Sequence, residues 1–212
     1  VYGVASGAST EIAVVGNEGV VGKSLLLGAG IATNTSTVLF AGRGFRIEAQ
    51  AIQDEFARSD AVRSILLRYI QALATQIAQS AICNRLHTIE QQLCGFLLHS
   101  LDRLQGSEVV VTQELIASIF GVRRESVTTA AGQLQEAGLI HYARGHVAVL
   151  ERVGLERRCC ECYAVVKNEY DRLLPHEPEE PNARLTSLGP RPLPAWNEAA
   201  VARWTPQRVV EP

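Results

Sequence analysis

The sequence contains no methionine, and its first 174 residues contain no proline. No uninterrupted apolar run approaches the roughly 18 residues that a membrane span requires. No basic stretch followed by an apolar core marks a secretory leader. The expected setting is therefore the cytoplasm, with no membrane partner. Net charge is also scarce: 20 Lys and Arg against 22 Asp and Glu leave a formal charge of −2. A global electrostatic footprint for nucleic acid is absent, so any basic contact surface must be local. Five cysteines is an odd number in a chain with no export signal. That favours a reducing compartment over a disulfide framework. No Ser/His/Asp, paired-carboxylate or Cys/His arrangement stands out, and the expectation is a protein that is not an enzyme. The lack of methionine, together with a start at Val1 in fold-like sequence, predicts that the natural N-terminus lies upstream.

What is present is unevenly spread. All eight prolines lie from Pro175 to Pro212, together with both tryptophans, Trp196 and Trp204. This shift in composition places a boundary near residue 174, followed by a tail without sustained apolar periodicity that is expected to be disordered. A docking motif around Trp196 and Trp204 is the minor reading of that tail. The 212 residues are 47% hydrophobic, enough to bury a core in one large domain or two small ones.

Residues 1–50 read as short strands between glycine turns: 11–15, Ser36 to Phe40 and Phe45 to Ile47. Such spacing suggests an antiparallel roll or barrel. From Asp54 the period changes. Val62, Leu66, Tyr69, Leu73, Ile77 and Ser80 step by threes and fours through a helix of more than 20 residues. Ile65, Leu67, Ile70 and Ala74 add a second apolar row. Two rows ask for a second surface, and a symmetry mate is one candidate. A further helix, from about Thr88 to Leu104, carries Ile89, Leu93, Phe96, Leu97 and Leu101 on one face.

The segment from Val111 to Leu150 holds the most specific pattern. Thr112 is placed to cap a helix over Gln113 to Phe120, with Val111 and Ile116 at hydrophobic-staple positions. Gly121 breaks that helix. A second follows from Arg124 to Ala137, with Val127, Ala130, Ala131 and Leu134 inward, and Gly138 ends it. Leu139 to Tyr142 and His146 to Leu150 then form two strands around a turn in which Gly145 suits positive φ. Helix, glycine turn, helix and hairpin make a winged helix-turn-helix. Its second helix can enter the major groove of double-stranded DNA, presenting Arg123, Arg124, Glu125 and Ser126 in its first turn.

These residues resemble the Crp/Fnr family of transcription regulators. The carrying stretches are Thr112-Gln113-Glu114-Leu115-Ile116-Ala117 and Gly121-Val122-Arg123-Arg124-Glu125-Ser126-Val127, with Leu134, Gly138-Leu139-Ile140 and the wing. Upstream, Gly16-Asn17-Glu18-Gly19-Val20-Val21-Gly22 and Leu25-Leu26-Leu27-Gly28 resemble the later half of the family's cyclic-nucleotide-binding-like β-roll. The resemblance implies an α+β chain in four parts: a partial β-roll sensor domain over 1–57, a long dimerisation helix over 58–83, a winged helix-turn-helix DNA-binding domain over 84–174, and the tail 175–212. It implies a bacterial homodimer on an inverted-repeat operator, with Val62, Leu66, Tyr69, Leu73 and Ile77 in the dimer interface and RNA polymerase as a further candidate partner. Arg124 and Glu125 match the family's base-reading pair, suited to guanine and to cytosine N4 respectively. The family's next basic reader falls on Thr129, with Thr128 beside it, and a small capping residue is replaced by Arg123. Thr112, Glu114 and Ser126 fall on phosphate-contact positions, and Arg144 at the wing tip is expected to touch flanking phosphates.

The same comparison argues against a cyclic nucleotide. The ribose-gripping Gly-Glu pair reads Gly22-Lys23, and no arginine lies in Thr33 to Thr37. Gly22-Lys23-Ser24 lacks the earlier glycine of a phosphate loop, because Asn17 stands there. Cys159, Cys160 and Cys162 invite an iron–sulfur or zinc reading. A tetrahedral site needs further ligands, and only Cys83, Cys94 and scattered histidines remain. Buried packing residues are therefore expected, and no cofactor or metal. Two other functions are weighed: a dimeric sensor or interaction protein without DNA function, and a small-molecule enzyme built on a roll.

Overall fold

The computed structural model describes residues 2–3, 9–10, 12–104 and 106–174. Val1–Pro175 forms one compact unit. The tail expectations, Trp196 and Trp204 included, lie outside the described residues.

Helices dominate. The two-residue strands β1 (Tyr2–Gly3) and β2 (Ser9–Thr10), a short turn α1 (Lys23–Leu26) and α2 (Ala49–Arg58) precede the long α3 (Asp60–Leu86). Ser59 separates α2 from α3 in extended backbone, and its hydroxyl accepts from Val62 N. With no glycine or proline inside it, α3 runs on for 27 residues, about 40 Å at 1.5 Å per residue. His87 ends it, and α4 (Ile89–Leu101) starts at once behind a full capping box. Thr88 Oγ1 accepts from Gln91 N at 3.3 Å, and Gln91 Oε1 accepts from Thr88 N at 3.1 Å. Next come β3 (Glu108–Val110), α5 (Gln113–Phe120), α6 (Arg124–Glu136), the hairpin β4 (Ile140–Ala143) and β5 (His146–Val149), then α7 (Arg152–Arg158) and α8 (Glu161–Leu173). The hairpin gains a third strand that periodicity did not suggest: the antiparallel order is β3-β5-β4, with Val109 opposite Val147 and Tyr142 opposite Val147.

The main core lies under the winged helix. Leu93, Leu97 and Leu98 from α4 meet Ile116 of α5, Val127 and Leu134 of α6, Ile140, Val147 and Leu155, all essentially buried. Each such side chain contributes roughly 1.5–3 kcal/mol of transfer free energy. The expected inward residues Val127, Ala130, Ala131 and Leu134 are the buried ones on α6.

A second cluster corrects one expectation. Tyr69, Ala72 and Leu73 of α3 pack against Val166 and Tyr170 of α8, with Ala13, Val15 and Val20 over them. Leu66, Tyr69 and Leu73, assigned above to a partner subunit, are thus covered by the chain's own residues. Val62 and Ile77 are half-buried. A two-row helix needs two surfaces, and α8 with the N-terminal segment supplies one. The side of α3 left open carries Leu67, Ala74 and Ile82.

The strands expected at 11–15, 36–40 and 45–47 are not strands among the described residues, where residues 12–48 form turns, irregular chain and α1. Among the described residues before α1, Tyr2–Gly3 pairs with Ser9–Thr10. A strand without neighbours has no ladder to stabilise it. At Val14 a side chain stands in for the neighbour. With its amide oriented as the hydrogen-bond network requires, buried Gln76 donates to Val14 O at 3.3 Å and accepts from Val14 N at 3.0 Å. The same amide donates to Tyr170 Oη at 2.9 Å. Tyr69 Oη donates to Val20 O at 2.9 Å, and Gly19 lies so close to the Tyr69 ring that a Cβ there would sit 2.5 Å from it.

Candidate nucleic-acid interface

The site is built from local signals that behave as the residues dictate. Thr112 Oγ1 accepts from Leu115 N at 3.1 Å and starts α5. The first-turn N–H of Glu114 has no partner inside the helix, while the Gln113 N–H meets the Tyr142 phenol. Gly121 ends α5 with φ 67°, the left-handed conformation that glycine adopts without a Cβ clash. Three residues later α6 begins, with Arg123 at its N-cap position and Ser126 N donating to Arg123 O at 3.1 Å.

Along α6, Val127, Ala130, Ala131 and Leu134 face the core, while Arg123, Arg124, Glu125, Ser126, Thr128, Thr129 and Gln133 are exposed. Arg123, Arg124 and Arg144 make no ion pair among the described residues, whereas Arg103, Arg152 and Arg158 of the same domain each hold a carboxylate. Unpaired arginines cost little in water and are ready for phosphate or guanine. The two threonines behave differently from the arginines. Thr128 Oγ1 is 2.7 Å from Gln113 Oε1 and 3.1 Å from Arg124 O, so it ties α6 to the start of α5. Thr129 Oγ1 donates to Glu125 O at 3.0 Å, leaving its methyl as the outward group.

The wing is a two-residue turn, Arg144-Gly145, between the paired Ala143 and His146. Both turn residues have positive φ, 50° at Arg144 and 83° at Gly145, as the twist of a tight hairpin demands. Positive φ at Gly145 agrees with its expected role, and Arg144 beside it also lies in the left-handed region. The wing is fastened to α5 by Val111 N donating to Gly145 O at 2.8 Å and Tyr142 Oη donating to Val111 O at 3.1 Å. Burial pushes the Tyr142 phenol up, and the Gln113 backbone N–H and then the Arg124 guanidinium pull the other way. Gln135 Oε1 accepts from Tyr142 N at 2.8 Å and joins the wing to the end of α6. Thr112, the first turn of α6 and the wing tip therefore belong to one braced unit.

Gln133 is a further exposed polar residue of α6 that the helix-turn-helix pattern does not single out. It lies two turns beyond Glu125, at 125, 129 and 133, exposed on the same row. A search for polar residues at four-residue spacing would have found it, and a Gln there can pair bidentately with adenine.

Cys159 caps the end of α7 and Cys160 the start of α8, so Cys159 and Cys162 do not share one helix. Cys160 and Cys162 instead meet Cys83 and His87, from the end of α3. Burial and the neighbouring Cys160 push the Cys162 thiol up to about 11. Lys23 opens α1 behind Gly22, and residues 33–37 form irregular, mostly exposed chain.

A three-stranded wing on a core of helices, with a braced helix pair, defines a winged helix-turn-helix protein. Residues 91–158 match the family model of the Crp-like helix-turn-helix domain. No curated protein matches the chain. Among solved structures, the chain is similar to a Crp/Fnr-family transcriptional regulator structure from Eubacterium rectale (21% identity, 52% of this chain and 51% of that chain, TM-score 0.41). It is similar to FixK2 from Bradyrhizobium japonicum (13%, 54% and 60%, TM-score 0.45). It is also similar to TTHB099, a CRP-family transcriptional regulator from Thermus thermophilus (26%, 53% and 57%, TM-score 0.42). The match covers little more than half the length of these structures.

Proposed function

We propose that this chain is a sequence-specific DNA-binding transcription regulator, not an enzyme, in which α6 enters the major groove and the wing tip reaches flanking phosphate. The carrying observation is the unpaired, exposed set Arg123, Arg124 and Glu125 at the first turn of α6, braced to a wing whose tip is Arg144. In this reading Arg124 and Glu125 touch base edges. Arg123, Arg144, Ser126 and the Thr112 end of α5 hold the backbone, Thr128 positions the helix and Thr129 offers its methyl. A second copy of the chain, set against the open side of α3 at Leu67, Ala74 and Ile82, makes the reader two-fold. Its operator is an inverted repeat with half-sites about 34 Å apart.

The test starts with selection of bound duplexes from random DNA, followed by affinities for single-base variants at two salt concentrations. Arg124→Ala should cost about 1–3 kcal/mol per half-site and relax preference at one base pair. An even loss across the panel makes Arg124 a phosphate clamp and overturns its assignment. Failure to enrich any sequence overturns the regulator reading in favour of a sensor or interaction protein without DNA function.

A further inference from the structure

We propose that Cys83, His87, Cys160 and Cys162 form a closed tetrahedral site for one zinc ion, which clamps the end of α3 to the start of α8. The inference stands apart from DNA binding. Four donor atoms, brought together from two places about 75 residues apart in sequence, all lie within 4.8 Å of one another. Cys83 Sγ is 3.6 Å from Cys160 Sγ, and Cys162 Sγ is 3.5 Å from His87 Nδ1. A tetrahedron with Zn–S of about 2.3 Å and Zn–N of about 2.0–2.1 Å has S···S edges of about 3.8 Å and S···N edges of about 3.6 Å. These two edges match such a shell, and the four donors together span no more than 4.8 Å.

The surroundings fit as well. With His87 binding through Nδ1, its Nε2–H faces the Glu161 carboxylate, 3.5 Å away. A carboxylate behind a ligating imidazole fixes its tautomer and orientation. Cys160 is the N-cap of the 13-residue α8 and Cys162 lies in its first turn, so one helix end fixes where both sulfurs sit. Gln92 Nε2 donates to His87 O at 3.0 Å and to Cys83 O at 3.4 Å, holding the backbone of the hinge between α3 and α4. Three thiolates, one neutral imidazole and Zn²⁺ carry a net charge of −1, and each thiol that was protonated releases its proton to solvent.

Other occupants fit less well. A disulfide between Cys83 and Cys160 would leave Cys162 and His87 gathered for no purpose. Iron–sulfur clusters place several irons and sulfides between their ligands and need a wider shell. Magnesium and calcium take oxygen donors. The remaining cysteines serve as controls: Cys159 Sγ turns to Gln91 O at 3.8 Å, and Cys94 is fully buried in the main core.

The experiment is metal analysis of the full chain, purified untagged under reducing conditions from zinc-supplemented cells. The expected result is one zinc per chain, lost at least ten-fold in Cys83→Ser and Cys162→Ser and retained in Cys159→Ser. Cobalt exchange should give thiolate-to-metal charge transfer and the intense visible bands of tetrahedral Co²⁺. Because a ligand variant can fail to fold, the unaltered chain supplies a second readout. Chelation should make three further thiols reactive and lower the thermal midpoint, and zinc should reverse both. A reduced chain that takes up no zinc, a chain holding copper or iron instead, a Cys83–Cys160 disulfide with no metal, or equal loss of zinc in Cys159→Ser would each overturn the proposal.

Discussion

The carboxylate of Glu18 accepts a hydrogen bond from Arg103 Nε at 2.8 Å, with both side chains only 10% exposed. This pair joins the N-terminal segment to the end of α4 across 85 positions of sequence. The guanidinium also donates to His99 O at 3.0 Å and stacks 5.6 Å from the centre of the Tyr170 ring.

Removing one partner of such a pair leaves an uncompensated buried charge. Glu18→Ala should therefore cost about 3–5 kcal/mol, while Glu18→Ala combined with Arg103→Met should recover much of the loss. Denaturant unfolding of the two single variants and the double variant measures the coupling, and simple additivity would contradict it.

Leu73 is 5% exposed inside the chain's own second cluster. Leu73→Ala should cost about 2–5 kcal/mol, with a loss that does not depend on protein concentration. Thermal unfolding over a hundred-fold range of concentration checks this. A loss that appears only on dilution would return Leu73 to a subunit interface.

His99 packs edge-on against Tyr163, with ring centres 5.0 Å apart. Burial first, and the Arg103 charge second, push its pKa down to about 4. An unfolded chain binds this proton near pH 6.5, well before the folded chain does. The neutral ring's contribution is therefore complete above about pH 6.5 and is lost as pH falls toward 4, up to about 3 kcal/mol in all. Stability measured from pH 7 to pH 4 should fall less steeply in His99→Gln than in the unaltered chain.

Arg144 holds φ 50° at the wing tip, a conformation that costs a residue with a Cβ about 1–2 kcal/mol. Arg144→Gly should raise stability by up to about 1 kcal/mol while weakening DNA binding similarly on every sequence. It should also reduce the salt slope by about one per contact removed. Unfolding and salt-dependent affinity, measured on the same preparations, separate the two effects.

Local chemistry makes the winged helix legible in the sequence itself. The Thr112 cap, the Gly121 and Gly138 stops, the inward row Val127, Ala130, Ala131 and Leu134, and the Gly145 turn are each specified by residues within about one helical turn, and caps and turns depend on little else. Strand β3 was silent because three residues carry no period. Which surface covers a two-row helix is not a local property. Leu66, Tyr69 and Leu73 were legible as buried, but α8, about 100 residues downstream, decided that the chain's own side chains bury them. The N-terminal segment was apolar enough to suggest strands. A ladder needs a neighbour, and the amide of Gln76 took that place at Val14. Cys160 and Cys162 were visible as a cluster, yet Cys83 and His87 are ordinary end-of-helix residues in the sequence. Only the packing of α8 beside α3 brings the four donors within 4.8 Å of one another, because proximity across about 75 residues is set by the folded core and not by spacing.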